Sequence, residues 1–334
     1  MAGALSAAVS PLNLAHEADG PHNCSSFNTF QQHMWPALAV AFPLAFAGNA
    51  IAIYRFMARE RNWHTGIVYA FNLAVSDLLY SLSLPLLAAY YFPPKDWRYG
   101  LALCKLERFL FTCNLYGSIF FLTCISLNRY VGIVHPFLAH GRLEPRHAKL
   151  VSGAVWLLVL ALSSPTLHFS ELRHCGNRTE CLGSAMEGQL PTYLPYSLCL
   201  LGLGCGLPLL VTLFCYVAIF HTVWRNPNIT PLEKRKVGRL VSVGVALYII
   251  SYLPYHTLRN LNLYLRLHSA QAGGQHAQPI HSAYQVSKIL VTFNICAHPL
   301  LYGALADSMR GWCCTPCQRG RPRPPETVEL KAGR

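Results

Sequence analysis

Ionisable side chains are scarce in this sequence. Only 12% of its 334 residues are Asp, Glu, Lys or Arg, about half the share of an ordinary soluble domain. A chain that crosses hydrocarbon has to exclude such groups, so the shortage points toward a membrane and away from a water-soluble enzyme. Acids are the scarcer sign, 14 against 27 basic residues, for a net charge of +13. That excess does not imply nucleic-acid binding, because the basic residues alternate with long apolar runs and form no continuous stripe. The sequence has no zinc-type His-Glu pair, no phosphate-cradling glycine loop ahead of a helix and no nucleophile triad. It therefore offers no catalytic constellation, no metal site and no cofactor motif. Its halves lack internal symmetry, which argues against a transporter. Residues 1–33 hold no Lys or Arg and no long apolar core, so they read as an exposed arm and not as a cleaved signal peptide.

Apolar residues are abundant: 53% of the chain, with a mean hydropathy of +0.29. They gather in seven stretches near residues 34–54, 66–91, 101–134, 150–169, 193–220, 237–263 and 280–305. Each is close to the ~20 residues a spanning helix needs, and a helix satisfies its own backbone groups in lipid. The fold class is therefore an all-α membrane protein, a seven-helix bundle over residues 34–305. Interior prolines Pro85, Pro208, Pro254 and Pro299 are expected as kinks. Most Lys and Arg fall on one side: Arg55 to Arg61, Arg129 to Lys149, Arg225 to Arg239 and the tail from Arg310. Positive charge stays inside, which puts the N-terminus outside and the C-terminus in the cytoplasm of a plasma-membrane protein. Two sequons, at Asn23 and Asn177, then face outward as glycosylation sites, and a third at Asn228 faces the cytoplasm and stays bare. Residues 306–318 are expected to form a short amphipathic eighth helix, with Cys313, Cys314 and Cys317 as palmitoylation sites. Three thiolates without a clear fourth ligand make zinc the poorer reading. Residues 319–334 form a Pro/Arg-rich tail expected to be disordered.

Local patterns in order and at fitting spacing carry a family resemblance. They are Gly48-Asn49, Leu73-Ala74-Val75-Ser76-Asp77-Leu78, Trp97-Arg98-Tyr99-Gly100 before Cys104, Asn128-Arg129-Tyr130, Trp156, Pro208 with Tyr216, Tyr252-Leu253-Pro254-Tyr255 and His298-Pro299-Leu300-Leu301-Tyr302. Together they resemble the rhodopsin-like G-protein-coupled receptors over about residues 34 to 310. The run from Phe111 to Ile119, with Tyr255 to Arg259 and Ala283 to Lys288, is similar to the metabotropic purinoceptors of the Gq-linked branch. The stretches 95–100, 106–114 and 202–208 resemble most an ATP-preferring subtype linked to both Gq and Gs. The resemblance implies an extracellular nucleotide as ligand, with Gq and Gs proteins and membrane lipid as partners, and it allows a homo- or hetero-oligomer.

Helical spacing gives the expected pocket. Arg108 lies one turn below Cys104, and Phe111, Thr112 and Leu115 continue that face inward. Tyr252, His256 and Arg259 form one stripe, and Tyr284 and Lys288 are four apart. Three cationic heads, Arg108, Arg259 and Lys288, thus converge under the outer loops beside Phe111, Tyr255 and Tyr284. Such a site suits a polyanionic end joined to an aromatic base, since guanidinium groups grip phosphate oxygens in bidentate fashion and Lys acts as a point charge. Tyr116, His256 and Gln285 complete the expected ligand set, although His256 serves equally well as a satisfied core residue. Glu107 is expected to turn to a neighbouring face and make a salt bridge near the interface. Asp77 is then the one deeply placed acid, and Phe111 stands where amine receptors carry a carboxylate, so a cationic ligand lacks a partner. A small carboxylate or lipid anion remains the rival ligand class.

The resemblance also implies an outer disulfide between Cys104 and Cys181. Cys24 and Cys175 either pair or both stay free. Asn49, Asp77, Ser118, Asn294 and His298 correspond to the polar cluster that holds sodium in relatives. With His298 in place of the usual Asp or Asn, His298 is expected to pair with Asp77 and weaken sodium binding. Asn128 departs from the usual acid, which removes a neighbour of Arg129. Arg129, Tyr130, Tyr216, Pro299 and Tyr302 form the implied switch toward the G protein.

Overall fold

The structure is a computed structural model that describes residues 31–59, 63–139, 144–183, 185–227, 229–268 and 277–313. Its long helices are α1 (Trp35–Arg59), α2 (Thr65–Tyr91), α3 (Gly100–Val134), α4 (Pro145–Phe169), α5 (Leu190–Arg225), α6 (Pro231–His268) and α7 (Ala277–Cys313). The first six each contain a stretch long and apolar enough to cross a membrane, and α7 packs on α6 and α1 to close the bundle. All seven apolar stretches of the sequence are thus helical. At α6 the boundary differs, the helix starting at Pro231 and not near residue 237. Thr230 and Glu233 form a reciprocal cap ahead of a polar first turn, with Pro231 at the first helical position, and this carries the helix past the apolar run into water.

Burial runs opposite to that of a water-soluble domain. Leu157, Val217 and Leu210 are 71%, 69% and 66% exposed, while Asn49, Asp77 and His298 are fully buried. An apolar girdle around a polar seam is stable only where the surroundings are lipid. Across the bundle, the Trp156 indole donates to the Asn72 side-chain oxygen at 2.9 Å and ties α4 to α2.

Local breaks accompany Pro85, Pro208 and Pro254, whereas Pro299 lies inside an uninterrupted α7. In α2 the helix interrupts at Leu82–Ser83 ahead of Pro85, where the Ser81 and Ser83 hydroxyls bond the Leu78 and Tyr80 carbonyls. In α5 and α6 a widened π-type turn precedes the proline, Leu200–Gly206 before Pro208 and Tyr248–Tyr252 before Pro254. A proline has no N–H to return to the preceding turn, so the ladder shifts register there. α7 runs unbroken to Cys313, so no separate helix starts at residue 306 among the described residues.

On the outer side, β1 (Leu172–Cys175) and β2 (Arg178–Cys181) pair as an antiparallel hairpin turning at Gly176 and Asn177. The loop before α3 docks on it: Trp97 N–H donates to the Thr179 carbonyl and Thr179 N–H to the Asp96 carboxylate. Asn177 is exposed at the hairpin turn, as a glycan acceptor requires. Asn23, Cys24, Asn228, Cys314, Cys317 and the tail lie outside the described residues, and of Cys313 only the backbone is described.

Candidate ligand-binding site

Below the hairpin is a partly open cavity whose empty volume, adjoining solvent included, is ≈ 570 Å³. All seven helices contribute to its floor and walls, α1 through Leu38 and α4 through Thr166, and Gly183 of the segment after β2 contributes to its roof. The disulfide between Cys104 and Cys181 holds that roof to the top of α3, with the two Cα atoms 5.6 Å apart. Cys175 is disulfide-bonded too, which removes the reading in which it stays free.

Eight of the ten residues expected at the site line the cavity: Arg108, Phe111, Thr112, Tyr255, Arg259, Tyr284, Gln285 and Lys288. Tyr116 and His256 do not. They are fully buried below it, with rings 5.7 Å apart, and the Tyr116 hydroxyl and both His256 nitrogens have no hydrogen-bond partner among the described residues. Their side chains follow the predicted faces, but the floor closes above them with Thr112 and Tyr255.

Each of the three cations already meets an internal partner. Arg108 donates to the Cys181 carbonyl at 3.0 Å and lies 3.2 Å from the Glu107 carboxylate. Arg259 donates to the Tyr193 hydroxyl at 2.6 Å and stacks over that ring at 5.5 Å. Lys288 sits 4.6 Å over the Tyr284 ring. Aromatic faces and neutral oxygens lower the cost of burying these cations, and Glu107 offsets only one of the three charges, so the cavity keeps a field that favours anions. Phe111 and Tyr255 meet edge to face at 5.8 Å, and Tyr255 and Tyr284 lie 5.8 Å apart, forming an aromatic wall beside the cations. Gly183 in the roof seats Arg108: a Cβ at this position would lie 3.1–3.2 Å from the guanidinium and its stem.

Sequence reasoning missed several lining residues and misplaced one. Tyr193 of α5 and Tyr80 and Tyr91 of α2 line the cavity, and no motif or charge in the sequence singles these tyrosines out. Glu107 does not turn outward. It is buried and lines the cavity beside Arg108, so Asp77 is not the bundle's one deep acid.

A second polar network closes the outer side. Lys95 donates to the Gln31 and Glu180 side chains, and Arg173 pairs with the other Glu180 oxygen at 2.8 Å. His281 contacts both Gln31 and Gln285 at 3.2–3.3 Å. Burial pulls Lys95 down to about 8 against the opposing field of Glu180. Burial pushes Glu180 up, but Lys95 and Arg173 more than offset it, leaving its carboxyl below the ordinary value. Nothing in the local sequence marks these residues, because their partners lie 64 and 85 positions away.

Deeper in the bundle, His298 Nδ1 is 2.7 Å from Asp77, with both side chains fully buried. Asn114 and Ser118 donate to the other Asp77 oxygen at 2.9 and 3.4 Å. Asn49 bonds instead to the Ala45 and Ile295 carbonyls, and Asn294 accepts from Ser251, so neither hydrogen-bonds Asp77. Asn114 was the member the motif comparison did not supply. Near the cytoplasm Arg129 is buried, Asn128 accepts from Thr65 at 2.6 Å, and Ser126 donates to the Tyr216 hydroxyl at 2.9 Å. Tyr302 packs edge to face on Phe56 at 5.6 Å, and Tyr130 meets His135 at 3.0 Å. Pro299 lies within α7 against Gly48 of α1.

Residues 48–302 match the model of the seven-transmembrane receptors of the rhodopsin family. The chain is 50% identical to human P2-Y purinoceptor 11 over 307 residues, 85% of this chain and 82% of that one. It is 39% identical to P2-Y purinoceptor 1 of Gallus gallus, covering 86% and 80%. Human P2-Y purinoceptor 1 is 37% identical, with 84% and 76% covered. The chain belongs to the P2-Y purinoceptor family. This purinoceptor is a multi-pass plasma-membrane receptor and not an enzyme, with a ligand on one side and a heterotrimeric G protein on the other. Its bundle, outer disulfide and loop-roofed cavity are the parts such a receptor uses.

Proposed function

We propose that this purinoceptor is activated by an extracellular nucleotide, with ATP the preferred agonist, and that it couples to Gq and phospholipase C-calcium signalling and also to Gs and adenylate cyclase. The observation that carries this reading is the joint presence of Arg108, Arg259 and Lys288 with Phe111, Tyr255 and Tyr284 around one cavity. Phosphate oxygens take bidentate hydrogen bonds from the two arginines and a point charge from Lys288, while the base stacks on the aromatic wall. The relative at 50% identity is named a purinoceptor, which supports the same ligand class.

Agonist binding transmits a signal only if it favours one bundle conformation over another. Arg259 and Lys288 sit on α6 and α7 while Arg108 sits on α3. A polyanion spanning them pulls these helices together at the outer end, and the proline-linked breaks of α5 and α6 let the inner ends respond. The test is a calcium and cyclic-AMP readout in receptor-null cells given nucleotides, succinate and fatty acids. Responses to nucleotides alone support the reading, and a response confined to succinate or fatty acids overturns it. Arg259→Ala removes charge-assisted hydrogen bonds of ~1.5–3 kcal/mol each, so ATP potency should fall about tenfold or more at unchanged surface expression.

A further inference from the structure

Glu107 is the feature the proposed agonist contacts leave unexplained. It is 2% exposed and lines a cavity whose other charged residues are Arg108, Arg259 and Lys288. Its carboxylate lies 3.2 Å from Arg108, yet neither oxygen has a hydrogen-bond partner among the described residues. The contact is therefore Coulombic without the aligned N–H···O geometry of a structural ion pair. A buried carboxylate held that loosely is costly unless it does something for its neighbours. Glu107 and Arg108 are consecutive on α3, and consecutive helical residues do not ordinarily face each other. Here both turn toward the same cavity.

We propose that Glu107 is a built-in counter-anion that sets the charge the pocket accepts, a specificity-determining residue acting through the field it imposes on Arg108 and Lys288. The inference rests on the nucleotide reading above. Three cations and one carboxylate leave the cavity two charges positive, and an entering phosphate chain competes with Glu107 for Arg108. Because the carboxylate repels every added phosphate charge, its presence flattens the gain in potency from nucleoside monophosphate to diphosphate to triphosphate. Without it the gain steepens. The role needs the charge and not the shape of Glu107, so Asp should keep it and Gln should lose it.

The test measures calcium responses to AMP, ADP and ATP for the wild type, Glu107→Asp, Glu107→Gln and Glu107→Met, all expressed as full-length receptors and normalised to surface level. Glu107→Met removes the same charge with an apolar side chain of similar length, so loss of one neutral variant from the surface leaves the ratio measurable in the other. The expected result is an ATP-to-AMP potency ratio at least about fivefold steeper in the neutral variants, a lower bound set by one unit charge about 4 Å away at the screening of bulk water, and a wild-type ratio in Glu107→Asp. A merely structural role would shift all three nucleotides together and leave the ratio alone, which overturns the proposal. A fall in potency confined to ATP also overturns it, because Glu107 would then be accepting a bond from the agonist or seating Arg108. If the wild type ignores every nucleotide, the nucleotide reading itself fails. If the wild type responds and the ratio stays fixed, only the role of Glu107 fails.

Discussion

His298 shows how one side chain can reassign an internal site. A neutral Asn or an Asp beside Asp77 leaves oxygen atoms for a hard monovalent cation, whereas an imidazole 2.7 Å from the carboxylate fills that space with a hydrogen bond. Asn114 and Ser118 take up the remaining Asp77 oxygen, so the acid reaches a satisfied state without an ion. Agonist potency in the wild type should stay the same when sodium is exchanged for a bulky organic cation. His298→Asn should bring back inhibition by sodium, with a several-fold rightward shift of the agonist curve. Strong sodium inhibition of the wild type would contradict this account. The pairing was legible in the sequence because the motif fixes both positions at one depth. Asn114 was not, since its link to Asp77 depends on the rotation of α3 against α2. Glu107 was misread for the same reason: a face assigned by 3.6-residue spacing is good to about one residue, and an acid beside an arginine at a helix end ordinarily points to water.

Among the elements, α5 and α6 meet near the cytoplasm through a glycine. Gly244 of α6 lies against the Tyr216 hydroxyl and ring, and a Cβ there would overlap both. Tyr216 in turn accepts from Ser126 of α3, so three helices are tied at this point. Gly244→Ala should penalise the close packing of α5 on α6 relative to an arrangement in which α6 has swung outward. Basal inositol phosphate accumulation is expected to rise severalfold at equal surface expression, and an unchanged baseline would mean that the helices part without cost. The seven helices were readable from hydropathy alone because lipid enforces length and composition. The start of α6 was not, because its first turn is polar and is held by the Thr230–Glu233 cap instead of by burial.

At the scale of the whole molecule, the outer loops behave as one assembly. Glu180 joins Lys95 of the loop before α3 to Arg173 of its own hairpin, and Gln31 and His281 bring in the N-terminal segment and α7. A carboxyl held below its ordinary value adds stability above that value, 4.5, and the gain is lost as pH falls through the folded one. Lys95, at about 8 against 10.5 when unfolded, acts in the other window: between those values the unfolded chain binds more proton, so stability rises with pH there. Amide protection in the hairpin of the purified receptor, corrected for the intrinsic exchange rate at each pH, should therefore fall on acidification below about pH 4.5. Glu180→Gln should show the lower protection already at neutral pH, and that protection should change little with acid. Equal protection in both proteins across the range would show that the bridge contributes nothing.

The same assembly bears on time as well as on affinity. Its fastenings come from four separate parts of the chain, with the disulfide at Cys181 as a fixed hinge beside them. A molecule seated underneath leaves more slowly while these fastenings hold. Signalling is therefore expected to outlast removal of agonist from the medium, and cutting the Lys95–Glu180 link should shorten this afterlife more than it raises the dose needed to begin.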